Sequence, residues 1–346
     1  MKKEGNNFLA FHSKGEKIIS TFYGIPKECA HYRFFNYPVT IFSNRKEMLE
    51  LISSGFHHFV DRGGEIRTDA IKIQIMGRPE KYRENDIYYL MGPDKKCYTF
   101  SDKLAVFPYV SGFLLNYLFD RLQHLHFIHA ASLSLRGQGI ILVGDGKSGK
   151  TSLSVALMKN RFSYLSDEFA VIEPARKQLL AFPKCLYLRD DTFSFFPDLK
   201  ARRREERSYH FGDEKRWLID PKEIFYGKIS SKANLRFFVF LHPNFDKPSG
   251  LEAIDPVSAF SRLIECSYNL RYQDPVTREK HLLLLLEILG KASCHRLQHG
   301  NAQASADLLT DLMSTPGKEE KMPLSNLDVS EITREVKRRI TRKSKS

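Results

Sequence analysis

The sequence predicts an α/β fold with a central sheet, together with a mixed α+β N-terminal region. Three observations carry this. Residues 104–315 alternate helix-period and strand-like segments, the pattern of helices packed on a buried sheet. Within them an apolar run, Gly139-Ile140-Ile141-Leu142-Val143, passes through a glycine-rich turn into Ser152-Leu153-Ser154-Val155-Ala156-Leu157-Met158. In that second run Leu153, Ala156 and Leu157 recur at helical spacing. Residues 1–103 instead mix short strand-like runs with a single helix-like segment.

In chain order, residues 17–23 and 71–75 read as strands, the second alternating apolar with polar, and residues 46–53 as a helix. An apolar helix is expected over residues 109–125, and strands over 128–135, 140–143, 170–172 and 235–241. Three Asp-Pro pairs mark helix starts. Asp220-Pro221-Lys222-Glu223 offers an N-cap aspartate, proline at the first helical position and a glutamate at the third; Asp255-Pro256 and Asp274-Pro275 repeat the opening. Gly290 is placed to close the last of these helices as a left-handed cap. From Thr315 onward Pro316, Gly317 and clustered charge read as a tail, with a short amphipathic helix over 327–340. The expected division is thus 1–103, 104–315 and a basic tail over 316–346.

Composition narrows the class. With 42% hydrophobic and 27% charged residues in 346, the chain has the make-up of a soluble globular protein. The most apolar stretch, residues 282–286, is far too short to span a bilayer. The N-terminus turns polar before a signal-peptide core can form. Cys29, Cys97, Cys185, Cys266 and Cys294 are scattered with no C-x-x-C pair, which points to reduced thiols and a cytoplasmic setting. The net charge of +13 is concentrated in Arg202-Arg203-Arg204 and at the C-terminal end, where Arg334, Lys337, Arg338, Arg339, Arg342, Lys343 and Lys345 face Glu335 alone. Such runs are ordinarily solvated ends; the functional alternative is a handle for an acidic peptide, nucleic acid or membrane surface.

The turn after the apolar strand reads Gly144-Asp145-Gly146-Lys147-Ser148-Gly149-Lys150-Thr151, which meets G-x-x-x-x-G-K-[ST] at every fixed position. Strand, glycine-rich turn and helix together aim backbone N–H groups and a helix N-terminus at a polyphosphate. In this P-loop pattern Lys150 reaches the β- and γ-phosphates of ATP and the Thr151 hydroxyl ligates Mg²⁺.

Such a loop alone does not separate ATPases, GTPases, motors and kinases, so its neighbours matter. Ser166-Asp167-Glu168 follows the short run Phe162-Ser163-Tyr164-Leu165 and sets two carboxylates at the end of an expected strand. One carboxylate can serve the metal while the other accepts the proton of an attacking hydroxyl. Read by itself, the pair is also compatible with a solvated acidic turn. His129, in Phe127-Ile128-His129-Ala130-Ala131-Ser132, is on its own more simply a packed strand histidine.

The span from His129 to Glu168 resembles the HPr kinase/phosphorylase family, in which a histidine, a P-loop and an Asp-Asp pair follow one another at similar spacing. The resemblance covers about forty residues and implies a P-loop kinase core. It puts His129 in the active site, Asp167 as proton acceptor, Lys150 on the phosphates, Thr151 on the metal, and Glu168 where the family has its second aspartate. The family's downstream Glu-Ile-Arg-Gly-Leu-Gly segment has only Leu188-Arg189-Asp190-Asp191 as a loose counterpart. Its phosphorylase loop is represented by Ile229-Ser230-Ser231-Lys232-Ala233-Asn234-Leu235, without the prolines, glycine and arginine. The resemblance therefore implies an HPr kinase-related serine kinase that keeps the forward reaction and lacks the phosphate-dependent reverse one.

The expected activity is ATP- and Mg²⁺-dependent transfer to a serine of a small protein or peptide. The alternative is a nucleotide-binding regulatory ATPase module without transfer to a partner. Nucleic-acid binding ranks last because no nucleic-acid motif accompanies the basic tail. A homo-oligomer is left open.

Overall fold

A computed structural model describes residues 28–77, 87–101, 103–224, 227–272 and 274–315. The strand expected over 17–23, the helix over 327–340 and the cationic C-terminal end lie outside the described residues. The chain packs as two compact units, Met1–Arg121 with Lys184–Asp220, and Leu122–Pro183 with Pro221–Ser346. Strands are numbered in chain order.

In the first unit β1 (Glu28–Phe34), β2 (Tyr37–Ser43), β3 (Ile71–Gly77), β4 (Tyr88–Met91) and β5 (Cys97–Phe100) form one sheet in that order. β1 and β2 are joined by Phe35 and Asn36, both at positive φ (47° and 70°), as a two-residue hairpin turn requires. β2 and β3 are parallel, so the chain must cross over between them. The Lys46–Phe56 helix does this, burying Met48, Leu49, Leu51, Ile52 and Phe56. It runs three residues past the expected end at Ser53, because Gly55 and Phe56 still face the core.

Two features of this unit depart from the sequence reading. The helix expected over 109–125 is Lys103–Arg121, and it carries Pro108 inside. Lys184–Asp220 also belongs here, so a single boundary at 103/104 does not describe the packing. The physical reason is aromatic: Phe107 of the Lys103–Arg121 helix packs on Tyr187 and Tyr209, with ring centroids 5.9 and 5.0 Å away. Those tyrosines come from a small antiparallel sheet, ordered β11-β13-β12, of β11 (Leu186–Arg189), β12 (Ser208–Phe211) and β13 (Glu214–Ile219). The charges of 188–191 are spent locally. Asp190 accepts from Trp217 Nε1 (2.9 Å) and Arg203 (3.2 Å), and Arg189 pairs with Asp191 and Glu214. Arg203, from the internal basic run, also lies over the Phe193 and Trp217 rings.

The second unit holds a nine-stranded sheet. Its strands are β6 (His126–Leu135), β7 (Gln138–Val143), β8 (Ser163–Ser166), β9 (Phe169–Glu173), β10 (Gln178–Leu180), β14 (Lys228–Ile229), β15 (Lys232–Pro243), β16 (Gly250–Ala253) and β17 (Ser293–His299). The four expected strands lie inside β6, β7, β9 and β15. β7 runs antiparallel to β6 and parallel to β15, and Ile140, Ile141, Leu142 and Val143 are all buried. Burial on both faces explains an unbroken apolar run where a half-exposed strand would alternate.

Helices Lys150–Lys159, Pro256–Cys266, Asn269–Tyr272, Pro275–Leu289 and Ala302–Ser314 pack with this sheet in the unit. Asp255 caps its helix by accepting from the Ser258 N–H, and Asp274 accepts from Val276 and Thr277. Asp220-Pro221 behaves differently and opens only a 3-10 turn, Pro221–Glu223. The Asp220 carboxylate takes His57 and His58 as partners instead of capping a helix. Gly290 does end its helix, but at a right-handed φ of −66°, with its N–H bonded to Leu286 and Ile288. No left-handed cap is present there. Among the described residues no helix is long and apolar enough to cross a membrane.

Candidate functional site

The 144–151 loop leaves the buried end of β7 and turns directly into the Lys150–Lys159 helix. Its shape depends on two glycines. A side chain at Gly144 would meet Ser148 Oγ at 2.5 Å. Gly149 has φ +88°, where L-residues are strained, and a Cβ there would lie 2.5 Å from His299 Nε2. Lys147 is also left-handed, at φ +64°. The helix begins with no acidic residue in its first turn, so its N-terminal N–H groups face no carboxylate of their own helix.

Lys150 folds back over the loop, donating to the carbonyls of Gly144 (2.6 Å) and Asp145 (2.9 Å). Burial lowers its pKa, against the opposing charge of Asp167. Ser148 Oγ is buried with no hydrogen-bond partner among the described residues. The loop thus carries a cation, an unspent hydroxyl and a helix N-terminus, a donor set that suits an anion of several oxygens.

Asp167 and Glu168 form the tight connection between β8 and β9, steadied by the Phe169 N–H donating to Ser166 Oγ at 3.2 Å. Thr151 donates to Asp167 Oδ2 at 2.8 Å and Ser154 to Oδ1 at 3.3 Å. Burial pushes the Asp167 carboxyl above its ordinary range, although the Thr151 hydrogen bond and the Lys150 charge pull the other way. A carboxylate that resists ionisation is a stronger proton acceptor once ionised.

His129 is half-buried on β6 and stands in register with Phe169, the residue after Glu168. Its Nδ1 lies 3.3 Å from the Tyr268 hydroxyl, and its ring packs against Phe169 and Tyr268. Lys150, Thr151 and Asp167 are therefore drawn into one contact group, and His129 is placed on the neighbouring strand of the same sheet. Leu188-Arg189-Asp190-Asp191 belongs to the first unit.

Sequence reasoning missed four participants. Ser154 was readable, three residues beyond Thr151 on one helix face. The others arrive from afar: Arg262, 3.8 Å from Asp145 Oδ2; Tyr268 on His129; and His299 against Gly149. His299 is held by Ser305 at 2.9 Å, which contacts Ser249 in turn. Nothing local in the sequence signals these three.

A scan against protein-family models matches none of them to this chain, and a search of curated proteins finds no match.

Proposed function

We propose that the second unit binds ATP at the 144–151 loop and transfers its γ-phosphoryl group to a serine hydroxyl of a peptide or small protein. The observation that carries this reading is the convergence of Lys150, Thr151 and Asp167 through the 2.8 Å Thr151–Asp167 hydrogen bond, across 16 residues of sequence. A phosphate loop needs its lysine and hydroxyl; a transferase also needs a base at that place.

In this reading Lys150 leaves the Gly144 and Asp145 carbonyls and turns its ammonium to the β- and γ-phosphates. The 144–151 amides and Ser148 Oγ hold the remaining oxygens. Thr151 and Glu168 provide oxygen ligands of the kind Mg²⁺ takes, and the bound ion would neutralise phosphate charge. Asp167 orients the acceptor hydroxyl and takes its proton as the serine oxygen bonds to the γ-phosphorus and the bond to ADP breaks. His129, fixed by Tyr268, lines the same sheet end. The 40-residue resemblance to the HPr kinase/phosphorylase family supports the same assignment.

The test uses purified full-length protein, Mg²⁺ and γ-labelled ATP with serine-containing peptides encoded beside this gene. Label transferred to peptide serine supports the kinase. Tight ATP binding with release of inorganic phosphate alone, on every peptide tried, would favour a regulatory ATPase module.

A further inference from the structure

The first unit carries a second cluster that the proposed reaction does not use. His57 and His58 stand side by side at the end of the Lys46–Phe56 helix, in the 3-10 turn His57–Phe59, with ring centroids 3.7 Å apart. Both direct Nε2 at one carboxylate: His57 to Asp220 Oδ2 at 2.9 Å and His58 to Asp220 Oδ1 at 3.0 Å. Asp220 follows β13 and lies 162 positions from His58, so the fold itself brings the three together. All three ligand atoms lie within 4.8 Å of one another.

We propose that His57, His58 and Asp220 form a binding site for a divalent transition ion of the zinc class. Two imidazole nitrogens and a carboxylate oxygen are the donors such ions take, whereas Mg²⁺ prefers oxygen alone. Ligands around tetrahedral Zn²⁺ stand roughly 3.4 Å apart, so each N···O separation needs to open by only about half an ångström. His57 is the exposed member and leaves a side open to water as a further ligand. Ligation at Nε2 places the imidazole proton on Nδ1, and His57 Nδ1 already has Cys185 Sγ at 3.9 Å as an outer contact. The Cys185 thiol donates to the Ser54 carbonyl at 2.9 Å, so it is a neighbour of the cluster and not a ligand. The bound ion would pin the end of β13 to the end of the Lys46–Phe56 helix.

The alternative is a hydrogen-bonded clasp that binds no metal. To decide, full-length protein is stripped with chelator, given an equivalent of Zn²⁺, desalted and assayed for metal; Co²⁺ substitution reports ligand type by absorption. The proposal expects about one zinc per chain and Co²⁺ bands without thiolate charge transfer. His57→Gln, His58→Gln and Asp220→Asn should each weaken binding by at least about tenfold. His57→Gln alters an exposed side chain, so it decides the matter if the other variants unfold. Lys150→Ala should retain the zinc, which separates this site from the nucleotide loop. Wild type that keeps no zinc, variants that keep it at wild-type affinity, or a thiolate band would each overturn the proposal.

Discussion

Thr151 Oγ1 donates to Asp167 Oδ2 over 2.8 Å, tying the first turn of the Lys150–Lys159 helix to the β8–β9 connection. One hydroxyl so placed holds the carboxylate in a fixed orientation. In the proposed reaction the same oxygen would also serve the metal ion. The pair therefore joins what the proposed reaction keeps distinct, phosphate binding on the helix and proton transfer on the turn.

Asp167→Asn tests that separation. The amide keeps the shape and still accepts from Thr151, but it takes no proton at neutral pH. ATP affinity, read by calorimetry, should change little, while serine phosphorylation falls roughly 10²–10⁴-fold, the usual loss for a general base. Transfer at the wild-type rate would leave Asp167 a structural residue.

Lys150→Ala acts on binding instead. Among the described residues its ammonium hydrogen-bonds the Gly144 and Asp145 carbonyls of the loop, so the fold should survive its removal. Hydrogen bonds to charged groups contribute about 1.5–3 kcal/mol, which corresponds to at least tenfold in ATP dissociation constant. Equal affinity in a folded variant would exclude the 144–151 loop as the phosphate site.

The strand leading into this loop was legible because Ile140, Ile141, Leu142 and Val143 are apolar without a break, and burial on both faces demands that. The loop was legible because its glycines are dictated by local geometry. His299 and Arg262 were not, since both reach the loop from segments more than a hundred positions away and only the completed sheet brings them in. Asp220 misled for a related reason. Its sequence offers a cap, but two histidines from 162 or so positions upstream take the carboxylate. Lys184–Asp220 likewise joins the first unit through Tyr187 and Tyr209, a partnership no local pattern announces.

Gly149→Ala probes the contact with His299. The left-handed backbone and the encounter with a buried imidazole at 2.5 Å should together cost about 2–4 kcal/mol in urea unfolding. Combining it with His299→Ala removes the encounter and leaves the backbone strain. The double variant should then be more stable than the sum of the single effects implies, by about 1 kcal/mol. Strict additivity would mean that His299 does not press on the loop.

The reverse reaction should be absent. Ser230 and Ser231 merely connect β14 to β15, Ser230 Oγ donates to the Lys232 carbonyl at 2.8 Å, and residues 232–234 pair with β10. One lysine is weak provision for a second anion beside a phosphoserine, because like charges repel strongly where water is scarce. Phosphorylated acceptor incubated with enzyme, Mg²⁺ and excess phosphate should release no pyrophosphate above background. Brisk release would make the chain a bifunctional enzyme.

A buried histidine pair should contribute to the acid sensitivity of the second unit. Asn269 is oriented by accepting from the Phe127 N–H at 2.7 Å and donating to the Leu125 carbonyl at 2.8 Å, so its amide nitrogen also donates to His281 Nε2. His281 Nδ1 then donates to His126 Nδ1 (3.1 Å), and His126 Nε2 donates to Ser267 Oγ (3.2 Å). A proton added to His126 Nδ1 would face another N–H without water. Burial, and secondly the charge of His281, accordingly lower the His126 pKa to about 3. The unfolded chain takes up this proton near pH 6.5 and the folded one does not, so the stabilisation is whole above pH 6.5 and is lost as pH falls toward 3. The expected slope is up to about 1.4 kcal/mol per pH unit for this residue. Between pH 7 and pH 5, His126→Asn should lose about 2 kcal/mol less than wild type in urea unfolding, whatever its stability at pH 7. Parallel losses in the two proteins would show that His126 titrates normally inside the fold.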